Sequence, residues 1–120
     1  MSWSTPKTNW QSDDTYNYTD LNKTCDNIAY LFEQAISKGL IEQFWGEAYI
    51  EACGVIKISG YDKYWDASDF SGVEEMVGIL AEICSIDFTP VTFAVNGQFI
   101  TYTELNRLET AIGDCYTFLS

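Results

Sequence analysis

The sequence predicts an α+β fold, with three to four helices packed on a small antiparallel sheet. Three observations predict it. Apolar residues recur at helical spacing over four separate segments, the period of a helix with one buried face. An Asn96-Gly97 pair stands between two runs rich in β-branched and aromatic residues, the strongest short signature of a hairpin. A further β-branched run at 54–59 supplies a third strand and stops at Gly60.

In chain order, residues 1–17 read as an extended arm. Trp3, Pro6, Trp10 and Tyr16 sit there among small polar residues without helical or strand period. Aromatic residues in such an arm dock on something, either the body of the same chain or a neighbouring subunit. Trp3, Trp10 and Tyr16 are therefore candidate self-association residues. The rest, 18–120, forms one domain.

The first helix is expected over about 20–38. Thr19 caps it, Asp20 suits the positive end of the helix dipole, and Gly39 ends it. Its stripe is Leu21, Cys25, Ile28, Phe32 and Ala35. A second helix is expected over about 40–52, with Ile41, Phe44, Trp45, Ala48 and Ala52 on its buried face. Gly46 weakens it by about 1 kcal/mol relative to Ala. The strand at 54–59 and a polar, aromatic loop at 61–69 come next. Ser71-x-x-Glu74 has the form of a capping box, and it opens a third helix to about residue 85 with stripe Val73, Met76, Val77, Leu80 and Cys84. The hairpin at 91–102 puts Val91, Phe93, Val95, Ile100 and Tyr102 on one face. A last helix over about 103–118 carries Leu105, Leu108, Ile112, Cys115 and Leu119.

Composition removes whole classes of function. Eighteen acids face six Lys and Arg with no His, giving a net charge of −12. Binding nucleic acid or anionic lipid through a general basic patch needs clustered cations that this chain lacks. Without His, Ser-His-Asp and Cys-His catalysis are excluded. No apolar run is long enough to span a membrane, and residues 1–10 lack the basic start and apolar stretch of a secretory signal. With 16% aromatic residues the chain has ample material for a core.

Cys25, Cys53, Cys84 and Cys115 are widely separated and form no CxxC pair. They read as buried free thiols rather than zinc ligands or disulfides. No acidic cluster has the spacing of an EF-hand or of a paired-carboxylate glycosidase, and there is no phosphate-cradling loop or activated nucleophile. The expectation is a non-enzyme with no metal and no cofactor.

Two surfaces stand out as candidate partner sites. One is the acidic, aromatic loop together with the start of the third helix: Tyr61, Asp62, Tyr64, Trp65, Asp66, Asp69, Glu74 and Glu75. The other is the row Glu42, Glu47 and Glu51 on the second helix. Tyr and Trp dominate interface hot spots, and acids attract basic partners.

The chain also repeats itself. Tyr18-Thr19-Asp20-Leu21-Asn22-Lys23 and Tyr102-Thr103-Glu104-Leu105-Asn106-Arg107 are nearly the same, and each has Ile five residues on, Ile28 and Ile112. The copies cover 18–32 and 102–116, and each opens a helix.

The first copy, preceded by Trp3-Ser-Thr-Pro-Lys-Thr-Asn-Trp10 and followed by Asn27-Ile28-Ala29, resembles a segment of bacteriophage and prophage proteins of Gram-positive bacteria. That segment runs P-K-T-D-W, a polar gap, an aromatic with Asn, then D-L-N-R. The chain departs from it at Lys23-Thr24-Cys25. The resemblance implies a virion component, often tail-associated, that contacts other virion subunits or copies of itself. It places the protein in the phage virion or the bacterial host cytoplasm. The alternative is an acidic inhibitor that mimics nucleic acid and occupies the groove of a basic host defence nuclease, in the manner of anti-CRISPR or anti-restriction proteins. On either expectation the partners are proteins, with neither direct nucleic-acid nor membrane binding.

Overall fold

All four helical periods become helices, and among the described residues no strand is present, so the fold is all-helical rather than α+β. The structure, a computed structural model, describes residues 3–9, 11, 18–56, 67–88 and 102–120. The helices are α1 (Tyr18–Ser37), α2 (Gln43–Ile56), α3 (Ala67–Ile83) and α4 (Tyr102–Leu119). The two repeat copies open α1 and α4 at equivalent positions, each beginning on its Tyr; on α1 this is one residue before Thr19, the expected cap.

Three of the four expected stripes form the core. Leu21, Cys25, Ile28 and Phe32 of α1 meet Val73, Met76, Val77, Leu80 and Cys84 of α3, and Leu105, Leu108, Ile112, Cys115 and Leu119 of α4. Helices α1 and α3 touch each other and both remaining helices, whereas α2 and α4 lie apart on opposite sides. Each helix buries one apolar face of 3.6-residue period, which suffices to fill a bundle without a sheet.

The strand expected at 54–59 is overturned where it is described: residues 54–56 are the last turn of α2. β-Propensity is a weak preference that packing overrides. Cys53 is buried at the next turn of the α2 inner face, so continuing the helix keeps that face in register, and Val55 turns outward. The 91–102 hairpin lies outside the described residues except Tyr102, which is helical. The capping box is also overturned. Helix α3 starts at Ala67, so Ser71 is internal, and the Glu74 carboxylate turns to Arg107 at 2.6 Å. A guanidinium brings a full opposite charge to the carboxylate, which outweighs a bond to a single uncharged peptide N–H.

Helix α1 ends as expected at Gly39, which has φ 71°. The Leu40 N–H donates to the Ala35 carbonyl at 2.9 Å and the Gly39 N–H to the Ile36 carbonyl at 3.0 Å, a Schellman motif. Helix α3 ends in the same way but with Ser85 at φ 58°; the Ile86 N–H donates to Ala81 and the Ser85 N–H to Glu82. A side chain in the left-handed region costs about 1 kcal/mol that Gly does not pay. Ser85→Gly is therefore expected to raise stability by up to about 1 kcal/mol in chemical denaturation; a lower midpoint would show that Ser85 is not strained.

On α2 the expected face is overturned at Phe44, Trp45 and Ala48, which are exposed, whereas Ile41 and Ala52 pack half-buried against the core. The helix docks through buried Gly46 and Cys53 with half-buried Tyr49 and Ile50. Gly46 explains the choice. A Cβ placed there would lie 2.5 Å from Ile36 Cγ1 and 2.6 Å from Ile36 Cδ1, so only glycine lets α2 approach α1 this closely. Ile36 is β-branched and stiff in a helix. Gly46→Ala is expected to cost about 1–2 kcal/mol, despite the gain in helix propensity. Adding Ile36→Ala should make the two changes couple by about 1 kcal/mol in a double-mutant cycle. Plain additivity would refute the contact.

Candidate functional site

Helix α2 has two apolar faces, and among the described residues only one of them packs against the bundle. On the outward face Phe44 is 73%, Trp45 53% and Val55 72% exposed. The Phe44 and Trp45 rings meet edge to face with centroids 5.4 Å apart, a favourable aromatic geometry. Glu42, Glu47 and Glu51 are exposed beside them. The Glu42 carbonyl accepts from the Gly46 N–H at 2.9 Å, so Glu42 stands at the helix start. Gln43 Nε2 donates to Glu47 Oε1 at 2.9 Å. The helix itself carries no Lys or Arg.

A groove of about 380 Å³ runs between this helix and α3. Ile41, Trp45, Tyr49, Ile79 and Ile83 line it, and Glu42 and Glu82 stand at its rim. A second groove, of about 560 Å³, lies between α4 and the segment after α3. There the Arg107 guanidinium sits 4.5 Å from the Phe88 ring centre and binds Glu74 and Glu104 at 2.6 and 3.0 Å. Burial lowers the Arg107 pKa, and its bonds to the two carboxylates more than reverse this. Glu74 is only 1% exposed, so it is an internal counter-ion and not the partner-facing acid expected from its sequence position; Glu75 is exposed. Asp69 lies within α3. Tyr61, Asp62, Tyr64, Trp65 and Asp66 lie outside the described residues, as do Trp10 and Tyr16.

The arm residue Trp3 lies on the body of its own chain. Its ring stacks on Tyr116 at 4.1 Å and tilts against Tyr30 at 5.8 Å. Asn27, fully buried, holds the next residue from both sides: the Ser4 N–H donates to Asn27 Oδ1 at 2.9 Å, and Asn27 Nδ2 donates to the Ser4 carbonyl at 2.8 Å. The amide thereby imitates one rung of a sheet.

Further along the same α1–α4 seam is Glu109, buried on α4. Burial raises its pKa, and Asp20 adds to this; Thr24, Lys23 and the Lys7 main-chain N–H act in the opposite sense. Thr24 Oγ1 donates to Glu109 Oε1 at 2.8 Å and also lies 3.1 Å from the Asp20 carbonyl. With a folded pKa above the unfolded one, the native state keeps a proton that the unfolded state has released. The resulting stability is present at low pH and is lost as pH rises through the folded pKa. Glu109→Gln, which cannot ionise, should therefore lose less stability than the parent as pH rises above the ordinary carboxyl range. Urea-denaturation midpoints that change with pH in parallel for the two proteins would show that the raised Glu109 pKa does not contribute to stability.

All four cysteines are buried and free. Burial pushes the Cys53 thiol up to about 12 and raises Cys84 and Cys115 as well, which disfavours the reactive thiolate. Among the described residues no three of His, Cys, Asp and Glu come together as metal ligands. No described helix is long and apolar enough to cross a membrane.

Sequence reasoning places the acids of α2 on the surface but misses the open aromatic pair beside them. The available signal is Gly46. A glycine in phase with Tyr49, Ile50 and Cys53 marks a close-packed face, which turns Phe44 and Trp45 away from it. Compared with protein-family models, with curated proteins and with solved structures, the chain matches none of them.

Proposed function

We propose that this is a phage-encoded, non-catalytic protein–protein interaction protein, a virion or tail-associated component that binds other virion subunits through the outward face of α2. The single observation that carries the binding role is the open Phe44–Trp45 pair. Large aromatic residues exposed together on an otherwise charged surface mark interaction sites, since burying them on a partner supplies the free energy that solvent exposure withholds. The phage assignment rests on the arm and helix-start segment at 3–31.

The test is particle composition. The protein should be found in purified particles of the phage that encodes it. Phe44→Ser with Trp45→Ser should abolish incorporation while leaving helix content and thermal midpoint unchanged, because neither side chain is in the core. Absence of the native protein from particles would sink the virion reading.

A second reading is an acidic inhibitor of a host defence nuclease. It is favoured by Glu47 and Glu51, exposed one turn apart on a helix without cations. It predicts inhibition of a CRISPR or restriction nuclease that weakens steeply as salt rises.

A further inference from the structure

We infer that the groove between α2 and α3 seats an apolar side chain from a basic, amphipathic helix of a protein partner. This rests on the protein-binding reading above and names the class of partner. The groove floor is continuous with the core, because Ile41, Tyr49, Ile79 and Ile83 all pack against it, and exposed Trp45 forms a wall. An apolar floor that opens to solvent rewards an apolar occupant.

The charge around the groove selects among occupants. Glu42 and Glu82 stand at the rim, Glu47 and Glu51 lie further along α2, and among the described residues no Lys or Arg lines the groove. A second copy of the chain docked face to face would set this acidic helix against itself, which like charges disfavour. Nucleic acid and anionic bilayers are repelled for the same reason. A polar basic tail satisfies the acids but leaves the floor wet. An apolar stripe flanked by Lys or Arg satisfies both.

The backbone of the occupant follows from that of the site. Both walls are helical over most of their length, and a helix has no continuous open edge to which an extended strand could add. An extended segment would bury unpaired N–H and C=O groups against the floor. A helix brings its own hydrogen bonds and offers one stripe, as in other helix-in-groove recognition.

The test is a nuclear magnetic resonance titration of the full chain with three short peptides. One is a Leu/Lys amphipathic helix, one has the same Leu stripe with Glu in place of Lys, and one has the same Lys pattern with Ser in place of Leu. The Leu/Lys peptide should shift the signals of Trp45, Tyr49, Ile79 and Ile83. Trp45→Ala should raise its Kd by about tenfold or more. Glu42→Gln with Glu82→Gln should weaken it severalfold, as should added salt. Trp45 and both acids are exposed, so these variants should fold, and unchanged thermal midpoints confirm it.

Equal binding of either control peptide overturns the proposal, as does a Kd indifferent to Trp45→Ala. If Phe44→Ser with Trp45→Ser abolishes particle incorporation but no peptide enters the groove, the protein-binding reading stands and the helix-in-groove proposal falls.

Discussion

Arg107→Ala is expected to lower the unfolding free energy by about 3 kcal/mol. Glu74 is almost wholly buried, and Arg107 Nη2 is 2.6 Å from its Oε1. Removing the cation leaves a carboxylate in the core without its closest positive charge, and desolvation of that charge is then uncompensated. The loss also includes the stacking of the guanidinium on Phe88. Arg107→Lys should recover only part of it, because an ammonium cannot fork between Glu74 and Glu104 while lying on a ring. Glu74→Leu with Arg107→Leu should recover most of it, since a buried pair replaced by apolar groups of similar size is often neutral. Urea denaturation of the four proteins checks this. A loss below about 1 kcal/mol for Arg107→Ala would show that the pair behaves like a surface ion pair.

Asn27→Ala is expected to release the arm. The two hydrogen bonds to Ser4 contribute about 1 kcal/mol each, so the variant should be less stable by about 2 kcal/mol. Limited proteolysis gives the more specific readout. Cleavage within residues 3–9 should accelerate strongly while α1–α4 persist, because release of the arm is a local opening. Trp3→Ala should also accelerate cleavage, since it removes the stack on Tyr116. If the protease pattern of Asn27→Ala matches that of the parent, the amide clamp does not hold the arm.

Periodicity makes the helices legible, and propensity misleads about the sheet. All four helices are readable from their stripes, and on α1, α3 and α4 each residue assigned to the stripe is buried. The expectation for α2 fails because that helix is apolar on two sides, and an apolar stripe alone does not say which side has a neighbour. Contact between Gly46 and Ile36 decides it, and a contact of that kind is not visible along one helix. The β-branched run at 54–56 reads as a strand because local preference is the only signal there; the buried Cys53 just before it outweighs that preference. Glu74 is misplaced for a related reason. Its spacing from Ser71 fits a cap, but its partner, Arg107, is distant in sequence. At the candidate site, Glu42, Glu47 and Glu51 are legible as surface acids, whereas the groove they flank is made by two helices and exists only in the fold.

The seam between α1 and α4 has a consequence for synthesis. Thr24 meets Glu109 across 85 residues, and the stripe of α1 shares its core with that of α4. At about 5–20 residues per second, α4 emerges roughly 4–17 s after α1. During that interval Leu21, Cys25 and Ile28 lack one of the walls that cover them in the finished bundle. The nascent chain therefore presents an apolar stripe in an order set by topology, and chaperone demand should depend on how quickly the last helix is translated.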